Sequence, residues 1–229
     1  MRYFATVFII LFATMGANSQ TYEIGGFVGG ANYIGDVGKT NYVAPNTAAF
    51  GAIFKWNRSA RHSFRGTLIH SSIQGNDADS NEERRKQRGY SFENSITELS
   101  IGLEYTFWEF SMYSGQPQAT PYLYTGLTYF LYNSLYKRAN DRIVDFDAVG
   151  TVAIPMVVGF KTTVGGKLVL GMEIGARYTF TDNLDGSNPT GTLADQGLEF
   201  GNPNSDDWYV FTGITLTYTF GRRPCYCNF

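Results

Sequence analysis

From Leu168 to Phe180 every second residue is able to face oil. Leu168, Leu170, Met172, Ile174, Ala176, Tyr178 and Phe180 are apolar or aromatic, and they alternate with Val169, Gly171, Glu173, Gly175, Arg177 and Thr179. A period of two belongs to a β-strand, whose side chains point alternately to opposite faces. The run exceeds the roughly 9–11 residues with which a tilted strand crosses a bilayer. Glu173 and Arg177 lie mid-strand on the second face, so that face is not an ordinary dry core. The stretch reads as one stave of a membrane β-barrel.

The ends of the chain fit export. Arg2 is a short positive start, Tyr3–Met15 is nearly unbroken apolar sequence, and Ala17-Asn18-Ser19 places small residues before Gln20. The run is short of the roughly 20 residues that a membrane helix needs, which favours a cleaved leader over an anchor. The expected organisation is a signal peptide over 1–19, a barrel over 20–220 and a tail over 221–229. The formal charge of −2 gives no reason to expect nucleic acid as a partner. Two cysteines are too few for a disulfide scaffold in an exported chain.

The same alternation recurs in Tyr22–Gly30, Ala48–Asn57, Ser63–Ile73, Phe92–Trp108, Pro121–Asn133 and Ala153–Thr163, then in Leu168–Phe180 and Trp208–Phe220. Eight is the smallest common strand number for an outer-membrane barrel. The fold class expected is all-β, an eight-stranded antiparallel up-and-down transmembrane barrel. Connection lengths obey the parity of such a barrel, with long outer loops alternating with short inner turns. The gaps Ala31–Thr47, Gln74–Ser91, Ser134–Val152 and Thr181–Asp207 are long. Arg58–His62 and Val164–Gly166 are short, and Glu109–Thr120 is the one departure. This topology places both termini in the periplasm.

Assigning faces by alternation turns Glu23, Glu98, Glu104 and Glu173 inward, together with Lys55, Arg65, Lys161 and Arg177. An eight-stranded barrel is only wide enough for its own side chains to fill, and buried charges must pair to offset desolvation. The expected lumen is a plug of salt bridges, with a narrow pore or a small-ligand cavity as the other readings. Glu173 and Arg177 lie about 13 Å apart at strand rise, so each should pair across strands.

Catalysis finds little support. The chain has two histidines. His62 falls in an inner turn, and His70 beside Ser71 and Ser72 is expected to face lipid near the outer interface. No catalytic residue, cofactor or metal is assigned, and the protein is expected not to be an enzyme. Asp182-Asn183-Leu184-Asp185-Gly186 carries oxygen ligands of the kind Ca²⁺ takes but lacks EF-hand spacing; acidic loops of this kind are usually solvated. The second outer loop, with Asp77, Asp79, Glu82, Glu83, Arg84, Arg85, Lys86 and Arg88, reads as a mobile solvated loop, or as one that touches lipopolysaccharide. Beyond the last strand, Arg222, Arg223, Cys225 and Cys227 form a candidate docking element for a partner, with a disordered end as the alternative. One residue between the cysteines makes a mutual disulfide strained.

Several blocks together resemble the PorG-like outer-membrane β-barrels of Bacteroidota. They are Gly29-Gly30-Ala31-Asn32-Tyr33-Ile34-Gly35-Asp36, Glu98-Leu99-Ser100 with Glu104, Pro121-Tyr122, Arg177-Tyr178-Thr179-Phe180-Thr181-Asp182-Asn183-Leu184-Asp185, Asp206-Asp207-Trp208-Tyr209 and the Cys-x-Cys tail. Asn183 stands where the family more often has Tyr. The resemblance implies a structural or anchoring role in the type IX protein secretion system, with periplasmic ring proteins and outer-membrane lipid as partners. It implies no catalytic residues. A small structural or adhesive barrel acting through its extracellular loops is the alternative.

Overall fold

The computed structural model describes residues 21–111, 114, 116–137, 143–189, 199–202 and 205–221. The expected signal peptide and the tail residues Arg222, Arg223, Cys225 and Cys227 lie outside the described residues. Eight strands follow one another in chain order: β1 (Thr21–Ile34), β2 (Thr47–Asn57), β3 (His62–Asn76), β4 (Ser91–Thr106), β5 (Ala119–Lys137), β6 (Ile143–Val164), β7 (Leu168–Thr179) and β8 (Trp208–Gly221). Each pairs antiparallel with the next, and β8 returns to pair with β1 from Thr21↔Gly221 to Ile34↔Trp208. The sheet is a closed eight-stranded barrel. Closure leaves the wall without an unpaired strand edge.

The alternation in the sequence is the alternation of the wall. On β7, Leu168, Leu170, Met172 and Ile174 are exposed outside, while Val169, Gly171, Glu173, Gly175 and Arg177 are buried inside. Ile101 on β4 and Met172 on β7 are each 64% exposed. A soluble monomer seldom presents an apolar area beyond a few hundred Å², yet here the outward face of every strand is oily. Aromatic pairs mark its ends. Tyr22 stacks on Phe54 and Phe220, and Trp56 packs on Phe64, at the end where β1 begins and β8 stops. Tyr178 packs on Trp208 and Phe180 at the opposite end. We call the first the turn end and the second the loop end.

Glycine shapes this wall at defined places. Gly102 and Gly126 are direct partners on β4 and β5. A Cβ on either would come within 2.1–2.2 Å of a carbonyl oxygen of the facing strand, so no larger residue fits that approach. On β6, a Cβ at Gly159 would lie 2.4 Å from the ring of Tyr122, whose place in the lumen depends on the missing side chain.

Strand order follows the expected pattern, but strand length does not. The span Ser134–Val152, expected as a long loop, is mostly strand, because β5 runs to Lys137 and β6 starts at Ile143. The two pair beyond the barrel as an extended hairpin, with an irregularity between Asn133 and Leu135. The β3–β4 connection is ordered as well. It holds a 3-10 turn (Asp77–Asp79) and a short helix, α1 (Glu83–Arg88), that ends at Gly89 in the left-handed conformation.

Candidate functional site

The lumen is filled from wall to wall, and it changes character along its axis. Toward the turn end the inward row is charged. Toward the loop end it is apolar and aromatic, with Phe27, Ile53, Ile69, Ile73, Ile96, Phe130 and Phe211 in one buried cluster. The expected plug of salt bridges is therefore half of the filling, and an ordinary hydrophobic core is the other half.

All eight charged residues singled out from the sequence point inward and are buried. Arg65 on β3 holds Glu173 on β7 through two hydrogen bonds of 2.7 and 2.8 Å. Arg177 on β7 holds Glu98 on β4 through bonds of 2.8 and 3.2 Å. Glu104 is shared by Lys55 at 2.7 Å, Lys161 at 2.6 Å and Arg65 at 3.5 Å. Glu23 has no cation among the described residues within ion-pair distance; Asn57 and Thr217 donate to it at 2.8 and 2.7 Å. The Arg65–Glu173 and Arg177–Glu98 pairs thus reach across the bore, whereas Arg65 and Glu104 stand on neighbouring strands. Tyrosines complete the network, Tyr122 donating to Glu173 at 2.5 Å and Tyr209 to Glu98 at 2.8 Å. The Arg65 guanidinium also lies over the Tyr124 ring, 4.8 Å from its centre. A carboxylate that receives two or three such bonds is satisfied without water.

Both mouths are covered. At the turn end, the β4–β5 connection folds back so that Phe110 N–H donates to Ala60 at 2.9 Å and the Phe110 ring lies 4.8 Å from Lys161 Nζ. The connection that broke the length parity thus carries a residue, Phe110, that folds back over the charged row. At the loop end, Leu184 of the β7–β8 loop is fully buried in the apolar cluster. Asn94 holds it there, donating to Leu184 O at 2.8 Å.

Around Leu184 the loops interlock. Tyr33 hydroxyl contacts Asp185 Oδ2 at 2.7 Å and also Asp207 Oδ1. Asp207 Oδ2 accepts from Leu184 N–H at 2.9 Å, and Asp185 Oδ1 accepts from Ser187 N–H at 2.8 Å. Asp77 accepts from Arg88 at 2.6 and 2.8 Å, from Gly38 N–H at 3.0 Å and from Tyr90 N–H at 3.1 Å. Arg85 donates to the carbonyls of Gly35 and Gly38, both at 3.0 Å. Asp77, Arg85 and Arg88 thus clamp the β3–β4 loop on the β1–β2 loop, while Asp79, Glu82, Glu83, Arg84 and Lys86 are exposed, as the solvated reading expected.

Two acidic residues of the β7–β8 connection depart from the solvated reading, while Glu199 is exposed. Asp185 and Asp207 are buried. Burial, with the neighbouring charges, pushes both carboxyls above the usual aspartate range. Burial and the nearby Asp36, Asp185 and Asp206 raise Asp182 to about 7. Among the described residues no three acidic, histidine or cysteine side chains come together as metal ligands. The His70 cluster is divided by the strand: His70 faces outward and bonds Thr97 at 2.8 Å, whereas Ser71 is buried and donates to Ala48 O at 2.9 Å. The role of Tyr122 and Tyr209 in the charge network was visible only as inward position. The Tyr33–Asp185–Asp207 cluster had no local signal at all.

Two adjoining clefts of about 210 and 420 Å³ open at the loop end. Asn46, Gln74, Gly75, Asn76 and Asp79 are common to both.

Residues 1–229 match the family model described as domain of unknown function DUF6089. No curated protein matches the chain. Among solved structures, similar ones include Neisserial surface protein A, at 8% identity and TM-score 0.46 over 88% of this chain and 97% of that one. The attachment invasion locus protein Ail of Yersinia pestis is similar at 8% identity and TM-score 0.43, over 89% and 99%. The outer membrane protein OprG of Pseudomonas aeruginosa is similar at 9% and 0.44, over 90% and 98%.

Proposed function

We propose the following for this chain, which belongs to the DUF6089 family: it is a non-enzymatic barrel of the outer membrane that anchors or organises a type IX secretion assembly. The single observation that carries the membrane reading is the predominantly apolar exterior of a closed barrel. Such a surface is stable in lipid and would associate in water. Strand parity supports a topology with the termini and short turns in the periplasm and the clamped loops outside.

A filled bore with covered mouths favours a protein that works through its surfaces over one that works by conduction. The secretion role rests on the sequence blocks that resemble PorG-like barrels, and its partners would be periplasmic ring proteins reached from the turn end. Arg222, Arg223, Cys225 and Cys227, next to that end in sequence, are the proposed docking residues. The test is a clean deletion in a strain without a paralogue. Loss of export of type IX cargo supports the reading, and undiminished export sinks it.

The paired clefts at the loop end favour a second reading, an adhesive barrel acting through its outer loops. Trimming the loops would then change surface binding, or contact with lipopolysaccharide, while export continues.

A further inference from the structure

Three oxygens converge under the β7–β8 loop with too few hydrogens between them. Tyr33 hydroxyl lies within hydrogen-bond distance of Asp185 Oδ2, at 2.7 Å, and of Asp207 Oδ1. A phenol has one hydrogen to donate. It satisfies one carboxylate, and the other contact is a hydrogen bond only if that carboxyl carries a proton and donates it to the phenol oxygen. The remaining carboxyl oxygens are already acceptors, Asp207 Oδ2 for Leu184 N–H and Asp185 Oδ1 for Ser187 N–H. Among the described residues no cation forms an ion pair with either carboxyl. Arg88, whose charge is felt by Asp185, donates from Nε and Nη2 to Asp77 and to Asp36 O instead.

We propose that Tyr33, Asp185 and Asp207 form a proton-operated latch. One proton held between the two buried carboxyl groups keeps the segment 181–189 seated on the barrel mouth, and its loss unseats that segment. The step is a deprotonation. The O–H bond of one carboxyl breaks, the proton passes to hydroxide or buffer base, and two carboxylates are left sharing one phenol hydrogen. Two like charges in that space cannot both be accommodated in low dielectric.

The neighbouring carboxyls oppose charge on the pair, Asp36 facing Asp185 from the β1–β2 loop and Asp182 facing Asp207 from its own loop, while hydrogen bonds from Tyr33, Ser187 and Leu184 favour it. Tyr90 from the approach to β4, Tyr132 from β5 and Asp206, which faces Asp182, complete the titratable surroundings. Arg88 is the opposing cation. Burial raises both carboxyls. The sign follows from linkage. The seated state binds more protons than the released state between the ordinary aspartate value and the raised one, so seating weakens as pH rises through that window. The device is coupled to the rest of the cap because Asp207 holds the Leu184 amide and Asp185 the Ser187 amide.

The full chain in lipid nanodiscs is the material, and hydrogen exchange of the segment 181–189, corrected for intrinsic rate, is the readout. Protection should fall about tenfold or more between about pH 6 and pH 9, while amides in β4 stay protected. Asp207→Asn supplies a permanent N–H donor, so its segment should keep its protection at the higher pH. Asp185→Asn should do the same and serves if the first variant does not fold. Equal protection of the unaltered protein at both pH values overturns the latch. So does an asparagine variant that loses protection with rising pH as the unaltered protein does.

Discussion

Arg65 and Glu173 stand on opposite walls of the barrel, β3 and β7, and meet across its full bore through two parallel hydrogen bonds of 2.7 and 2.8 Å. In a closed ring of eight strands these walls are as far apart as two strands can be. The pair therefore acts as a strut whose length matches the interior. Removing one end leaves a desolvated charge, which costs about 3–5 kcal/mol, whereas replacing both ends with apolar groups is often close to neutral. Glu173→Gln or Arg65→Met should each lower barrel stability by that amount in urea titrations in lipid vesicles. The double variant Arg65→Met/Glu173→Leu should recover most of the loss. Additive losses would show that the two side chains do not act as a pair.

The clamp on the other loop should answer pH in the opposite sense to the latch. Asp77 accepts from Arg88 and from two backbone amides; burial pushes its carboxyl up, but the Arg88 hydrogen bonds and charge together with the Gly38 and Tyr90 amides hold it below the usual aspartate range. A depressed carboxyl contributes stability that is present above its unfolded value and is lost as pH falls through its folded value. Acidification below the ordinary aspartate range should thus expose α1 to protease while the segment 181–189 stays protected. Asp77→Asn should expose α1 at neutral pH. Unchanged digestion of the 80–90 segment at acid pH would contradict the clamp.

Strand number and the inward charges were legible because inside the apolar belt one face meets oil and the other meets the lumen, which enforces a strict period of two. Beyond the belt that constraint lapses. In the outer parts of β5 and β6 the alternation fades in the sequence, so Ser134–Val152 reads as loop although most of it pairs as strand. The cap was illegible for a different reason. Tyr33 is 152 residues from Asp185 and 174 from Asp207, and only closure of β8 onto β1 brings them together. The β4–β5 connection gave a true signal, its excess length, with no indication that Phe110 folds back over the charged row.

Because the bore is filled along its length and both mouths are covered, the unaltered protein should give no discrete conductance steps in planar bilayers. Phe110→Ala should remain silent too, since it uncovers only the turn end and leaves the Arg65–Glu173 strut and the apolar cluster above it in place. Reproducible unitary steps from either protein would require a continuous water path and would overturn the filled-lumen reading.

The apolar exterior gives the sharpest test of where the barrel lives. Met172 and Glu173 are adjacent on β7, yet Met172 is 64% exposed on the outer wall and Glu173 is buried in the bore. In water an exposed methionine can become lysine at little cost, usually within about 0.5 kcal/mol. In a bilayer the same lysine near the midplane costs about 2–4 kcal/mol, and the penalty falls toward the interfaces. Met172→Lys should therefore destabilise the folded barrel in vesicles by that amount, and Leu168→Lys, nearer the turn end of the same strand, by less. A flat profile along Leu168, Leu170, Met172 and Ile174 would mean that this face meets water or protein instead of lipid. A profile peaked at Met172 would locate the bilayer midplane on the strand from the outside alone.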